Sequence, residues 1–152
     1  LDGQCSIGCW LYNDDLHELD FEIAHGKAAD RLKYGARPDQ VLAFMTNQDG
    51  PYYQSVVPIT RNAWHICTIE VGLKKNAANA YVYTVDWFID GVRVGQVAEL
   101  EFGQNKPFAM YCSVENLTFT GDARPIKNNY GLWDFVEYTP KPNSVAPSPT
   151  PP

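Results

Sequence analysis

His17-Glu18-Leu19-Asp20-Phe21-Glu22-Ile23 alternates polar and apolar side chains through its whole length. In an extended chain successive side chains point to opposite faces, so Glu18, Asp20 and Glu22 share one face and Leu19, Phe21 and Ile23 the other. The pattern predicts a half-buried strand carrying three acids over an apolar back. Like charges on one strand face repel, and a strand serving only the fold would more naturally carry Thr, Lys or mixed charge there. A solvated acidic face is the plain structural reading. The chemical reading is that two carboxylates flanking a sugar bond, with a third to tune them, suffice for glycoside hydrolysis. One carboxylate attacks the anomeric carbon, and the other protonates the leaving oxygen and then activates water. The negative charge of Asp20 between them would help hold a proton on a neighbouring Glu.

Upstream, Cys5 to Tyr12 also alternates, with Ser6, Gly8, Trp10 and Tyr12 on one face and Cys5, Ile7, Cys9 and Leu11 on the other. Asn13-Asp14-Asp15 supplies turn chemistry, which makes this strand the expected antiparallel neighbour of the acidic one. Trp10 and Tyr12 then stand beside the acids, where flat rings suit pyranose faces as well as ordinary cross-strand packing.

Downstream, residues 24–40 are polar and small, a loop with room for a short helix around Lys27 to Leu32. Val41 to Thr46 and Tyr52 to Val57 read as a hairpin around the turn cluster Asn47-Gln48-Asp49-Gly50-Pro51. Trp64 to Val71 alternates again, and Gly72 to Asn79 reads as a polar connection. His65 and Cys67 fall on one face of that strand, where they fit a core stripe far better than a nucleophile and its base. Tyr81 to Ile89 and Val92 to Val97 flank Asp90-Gly91, a pair suited to the positive φ angles of a type I′ turn. Phe108 to Val114 and Leu132 to Tyr138 complete a set of about nine strands, and short strands with hardly any helix predict an all-β antiparallel sandwich.

The 152 residues, 45% hydrophobic and 13% aromatic, suffice for one domain with a real core. A net charge of -6 and a pI near 4.9 argue against nucleic acid or an anionic membrane surface and suit a neutral polymer such as a glycan. No run of about 18 apolar residues predicts a membrane span. Cys5, Cys9, Cys67 and Cys112 lack metal-type spacing; they allow two disulfides in any of three pairings, or four reduced core residues. Residues 139–152, rich in Pro, Ser and Thr, read as a linker or tail behind a domain spanning 1–138. Opening at Leu1 fits a processed product or an excised domain, and Asn116-Leu117-Thr118 fits a glycosylation acceptor.

Several stretches, in order, resemble glycoside hydrolase family 16, the laminarinase and lichenase group with a concanavalin A-like jelly roll. They are Glu18-Leu19-Asp20-Phe21-Glu22, similar to the family's E-x-D-x-E strand, Phe44-Met45-Thr46-Asn47 with Gly50, Trp64-His65, Trp87-Phe88-Ile89-Asp90-Gly91, Pro107 to Cys112, and Trp133 to Tyr138. The resemblance implies a retaining enzyme that hydrolyses or transglycosylates a β-linked polysaccharide such as a β-glucan or galactan. In it Glu18 is the nucleophile, Asp20 the assisting acid and Glu22 the general acid/base. Trp10, Tyr12, Asn47 and Trp87 are the expected substrate-binding residues. Four strand steps put the Glu18 and Glu22 Cα atoms about 13 Å apart, so both side chains must lean inward over Asp20 for their carboxyls to reach the spacing of about 5–5.5 Å that retention needs. No cofactor is required, although the resemblance allows a structural calcium, and the expected setting is extracellular or the cell surface.

Three features depart from the family's pattern: the acidic strand begins close to the start of the sequence, Cys112-Ser113-Val114-Glu115 lacks the Asn and Trp often found on that cleft strand, and Val71 stands where Trp is common. They support an alternative, a non-catalytic glycan-binding or structural cell-surface module that assembles with other chains through open sheet edges.

Overall fold

The computed structural model describes residues 1–140. Most of the expected tail, from residue 141 onward, lies outside the described residues. The first two alternating stretches form β1 (Cys5–Asp14) and β2 (His17–Ala24), followed by a short helix α1 (Ala28–Lys33). The chain continues as β3 (Gln40–Asn47), β4 (Tyr53–Thr60), β5 (Cys67–Lys75), β6 (Tyr81–Ile89), β7 (Val92–Val97) and β8 (Ala109–Asn116). Two antiparallel sheets result, one of five strands in the order β4-β3-β2-β1-β8 and one of three in the order β5-β6-β7. They make a β-sandwich, and no helix among the described residues is long and apolar enough to cross a membrane.

The core fills the space between the sheets. Leu19 and Phe21 of β2 and Val41, Ala43 and Met45 of β3 meet Val85, Trp87 and Ile89 of β6 in one cluster, with Leu100 and Phe102 added from the segment after β7. Each fully buried side chain of this size contributes about 1.5–3 kcal/mol of hydrophobic free energy. Polar contacts join the sheets at one margin, where the Ser55 hydroxyl donates to the Val94 carbonyl at 2.7 Å and the Gln96 N–H donates to the Tyr53 hydroxyl at 3.2 Å.

β2 is central in the larger sheet, between β1 and β3. Its pairing with β1 sets Gly8 opposite Glu22, Trp10 opposite Asp20 and Tyr12 opposite Glu18. Because the apolar half of β2 is committed to the core, the acids must face away from it, onto the outer surface of the sheet.

The hairpin of β6 and β7 turns at Asp90 and Gly91, whose φ angles of 51° and 78° are both positive, as the sequence predicts. Three segments differ from expectation. β5 starts at Cys67, because Ile66 exchanges hydrogen bonds with Asp90 and the His65 ring bonds both the Asp90 carboxylate and the Thr60 carbonyl. The same strand continues through Gly72 to Lys75, since Gly72 faces Thr84, whose hydroxyl leaves no room for a Cβ. Leu132 to Tyr138 is not a strand and is largely exposed; alternation builds no strand where no neighbouring ladder takes up the backbone groups.

Candidate active site on the outer face of the five-stranded sheet

A cleft of about 530 Å³ lies over the three acids of β2. That size is typical of sites for small ligands. Glu18, Asp20 and Glu22 line it together with Trp10 and Tyr12 of β1, Phe44 and Thr46 of β3, and Gln54 and Val56 of β4. Further surface comes from Asp30, Lys33 and Tyr34 at α1, from Gln48 and Tyr52 in the β3–β4 turn, and from Leu117 and Phe119 after β8. A small apolar cluster of Ala24, Leu42, Phe44 and Val56 underlies the α1 side, with Tyr34 packed on it.

Each acid has a different environment. Asp20 is nearly inaccessible, at 4% exposure, and accepts a hydrogen bond from the Gln48 amide at 3.0 Å. Burial first, and then the charge of Glu18, push its carboxyl up to about 8, although Gln48 pulls the other way. Glu22 accepts a hydrogen bond from the buried Ser6 hydroxyl. Burial raises Glu22 to about 7 against the opposing pull of Ser6, and the charges of Glu115 and Glu18 add to the rise. Glu18 is raised too, chiefly by burial and the charge of Asp15, with Gln48 opposing. Burial and the charge of Glu18 thus favour the protonated form of Asp20.

The aromatic side of the cleft is built on β1 and β8. Trp10 stacks on Tyr111, with ring centroids 5.6 Å apart and planes inclined by 21°, and Tyr12 meets the same Tyr111 edge-on at 5.7 Å. The Tyr12 hydroxyl donates to Asp15 at 2.7 Å. Phe119 meets Phe44 edge-on at 6.4 Å on the other side.

Of the seven residues singled out from the sequence, Glu18, Asp20, Glu22, Trp10 and Tyr12 gather at this cleft, whereas Asn47 and Trp87 do not. Trp87 is completely buried between the sheets, its ring stacked on Tyr53 at 5.7 Å, so it is a core residue in place of a sugar platform. Asn47 is also completely buried; its side-chain amide donates to the carbonyls of Asp49 and Pro51 and holds the β3–β4 turn. Among the described residues no cluster of three or more His, Cys, Asp or Glu is placed to hold a metal ion.

Sequence reasoning passed over Ser6, Gly8, Gln48, Tyr111 and Glu115. Alternation along β1 already puts Ser6 and Gly8 on the acidic face, and that signal is sufficient. Gln48 and Tyr111 had none, since one lies in a turn and the other reaches Trp10 through the β1–β8 register. The chain matches no family model, no curated protein and no solved structure.

Proposed function

We propose that this chain is a retaining glycoside hydrolase or transglycosylase, acting outside the cell or at its surface on a β-linked polysaccharide such as a β-glucan or galactan, in a jelly roll of the family 16 kind. The observation that carries the reading is that Glu18, Asp20 and Glu22 line one aromatic-flanked cleft, with Glu22 held near neutrality at about 7. A general acid works best with a pKa near the operating pH. Glu22 gives its proton to the glycosidic oxygen while the Glu18 carboxylate attacks the anomeric carbon, breaking the bond to the leaving sugar. Water then attacks the same carbon, loses its proton to Glu22 and releases Glu18. Asp20 keeps its proton and donates a hydrogen bond to whichever glutamate is anionic. Trp10 and Tyr12 offer the stacking surface. No cofactor enters this sequence.

The test is release of reducing sugar from a panel of β-glucans and β-galactans. Glu18→Gln and Glu22→Gln should each cut it by roughly 10²–10⁴-fold. Activity that survives Glu18→Gln, or no activity on any member of the panel, overturns the proposal.

A second reading has one observation in its favour. β8 is an edge strand with Met110 and Val114 exposed, and Leu132, Phe135, Val136 and Tyr138 are exposed beyond it. Such an edge suits a glycan-binding or structural surface module that pairs with another chain. Glycan binding without turnover, or concentration-dependent assembly without glycan affinity, would favour it.

A further inference from the structure

Gln48 follows β3 directly and lines the cleft over the acids. Asp20 pairs with Thr46, so Gln48 stands two positions along the chain from that partner and, by alternation, on the same outer face. Such diagonal neighbours lie about 7–8 Å apart, a gap that long side chains can cross. Gln48 crosses it: its side-chain amide donates to Oδ2 of Asp20 at 3.0 Å. The turn that carries Gln48 is fastened by its own residues and by the segment after β7. Fully buried Asn47 donates from its side chain to the Asp49 carbonyl at 2.9 Å and to the Pro51 carbonyl. The Gly50 N–H donates to the Asp49 carboxylate at 2.8 Å, and the Glu101 N–H donates to the Gly50 carbonyl at 2.7 Å. The Gln48 amide therefore starts from a fixed backbone and ends on a carboxyl that is itself nearly inaccessible.

We propose that Gln48 is the positioning residue of the acidic cleft: by occupying Oδ2 of Asp20 it holds that carboxyl in one orientation and, when Asp20 is protonated, places the proton on Oδ1. The carbonyl oxygen of a neutral carboxyl is its better acceptor, so the oxygen that receives the Gln48 N–H is the one without the proton. An amide neither gains nor loses a proton near neutral pH, so Gln48 orients Asp20 without entering the proton transfers. The titratable groups facing Asp20 are Glu18 and Glu22 on its own strand, while its partners across the ladders, Trp10 on β1 and Thr46 on β3, do not ionise. Gln48 is thus the group whose removal changes Asp20 without changing the charge of the cleft. The kinetic part of this inference rests on the hydrolase reading; the placement of the proton does not.

The experiment uses the full chain with carbon-labelled carboxyls and nitrogen-labelled side-chain amides, followed by NMR across pH. In wild type the Gln48 amide resonance should titrate with the same midpoint as the Asp20 carboxyl carbon. Gln48→Met keeps the length and loses the donor, so the Asp20 midpoint should rise. Gln48→Lys keeps a donor and adds positive charge, so the midpoint should fall below the wild-type value. On the most active glycan of the panel, Gln48→Met should lower kcat by about 10–100-fold with KM within about twofold, because the placement of the acids is lost and sugar binding is not. A Gln48 resonance that ignores the Asp20 titration overturns the proposal in wild type, whether or not a variant folds. An unchanged midpoint in Gln48→Met, or a moved midpoint with unchanged kcat, overturns it too. Midpoints that move as stated in a protein inactive on every glycan support the placement of the proton and overturn the hydrolase reading alone.

Discussion

Gly8 stands directly opposite Glu22 across the β1–β2 ladder, and a Cβ at Gly8 would sit 3.0 Å from the Trp10 ring and 3.1 Å from the Glu22 carboxylate. The missing side chain is what lets Trp10 fold back along its own strand and lets Glu22 reach Ser6. Gly8→Ala should therefore displace both by a few tenths of an ångström while leaving the sheet intact. Such misplacement lowers kcat/KM by up to about 10²-fold. The check is steady-state kinetics on the best glycan beside a thermal melt, with the melt moving little.

Ser6→Ala removes the one hydrogen bond that pulls the Glu22 carboxyl down. The carboxyl should then rise above about 7, and the alkaline limb of the pH–rate profile should move upward with it. Losing the donor at a buried carboxyl should also destabilise the fold by about 1–3 kcal/mol. A carboxyl-carbon NMR titration of Glu22 in wild type and variant reads the shift directly; an unchanged midpoint would mean that Ser6 has no part in tuning it.

Stability should fall as pH rises through neutrality. Asp20 and Glu22 are raised in the folded state to about 8 and about 7, from ordinary values of 3.8 and 4.5. Between those limits the folded chain binds more protons than the unfolded chain, so the unfolding free energy decreases with pH. His65 contributes with the same sign: burial pulls it down, but its bonds to Asp90 and Thr60 prevail and raise it, so its contribution is lost as pH climbs past that raised value. Urea melts at pH 5 and pH 8 should show a loss on the order of a few kcal/mol. Asp20→Asn should flatten the slope, and a variant with the wild-type slope would refute the assignment.

The two tryptophans expected to bind substrate should separate cleanly. Trp87→Ala empties the space between the sheets and should cost about 3–5 kcal/mol, enough to threaten folding. Trp10→Ala loses its stack on Tyr111, worth about 0.5–1.5 kcal/mol beyond area burial, and should chiefly raise KM for glycan. Denaturation curves and kinetics on both variants distinguish the core ring from the cleft ring.

Alternation made the acidic face legible because the side-chain period of a strand is exact. Once Leu19 and Phe21 are read as core, Glu18, Asp20 and Glu22 have only the other face, and the short turn brings Trp10 and Tyr12 alongside. Asn47 could have been placed by the same rule, since it shares parity with Val41, Ala43 and Met45 and so belongs to the core side. Trp87 could not. A ring in β6 serves core or platform equally well until the position of its sheet is known, and sheet stacking leaves no mark in local sequence. The raised carboxyls were illegible for the same reason, because burial of Asp20 depends on Gln48 and on strands far along the chain.

Interleaving the acidic face and the core on β2 leaves that segment no freedom of length. Substitutions can be absorbed one face at a time, but inserting or deleting a single residue between Glu18 and Glu22 would turn part of the core out to water and drive a carboxylate into the sandwich. Descendants of this chain can vary in length at turns such as Asn76 to Ala80, where exposed residues absorb the change. Across those five positions of β2 the register that builds the core also fixes which way each acid faces.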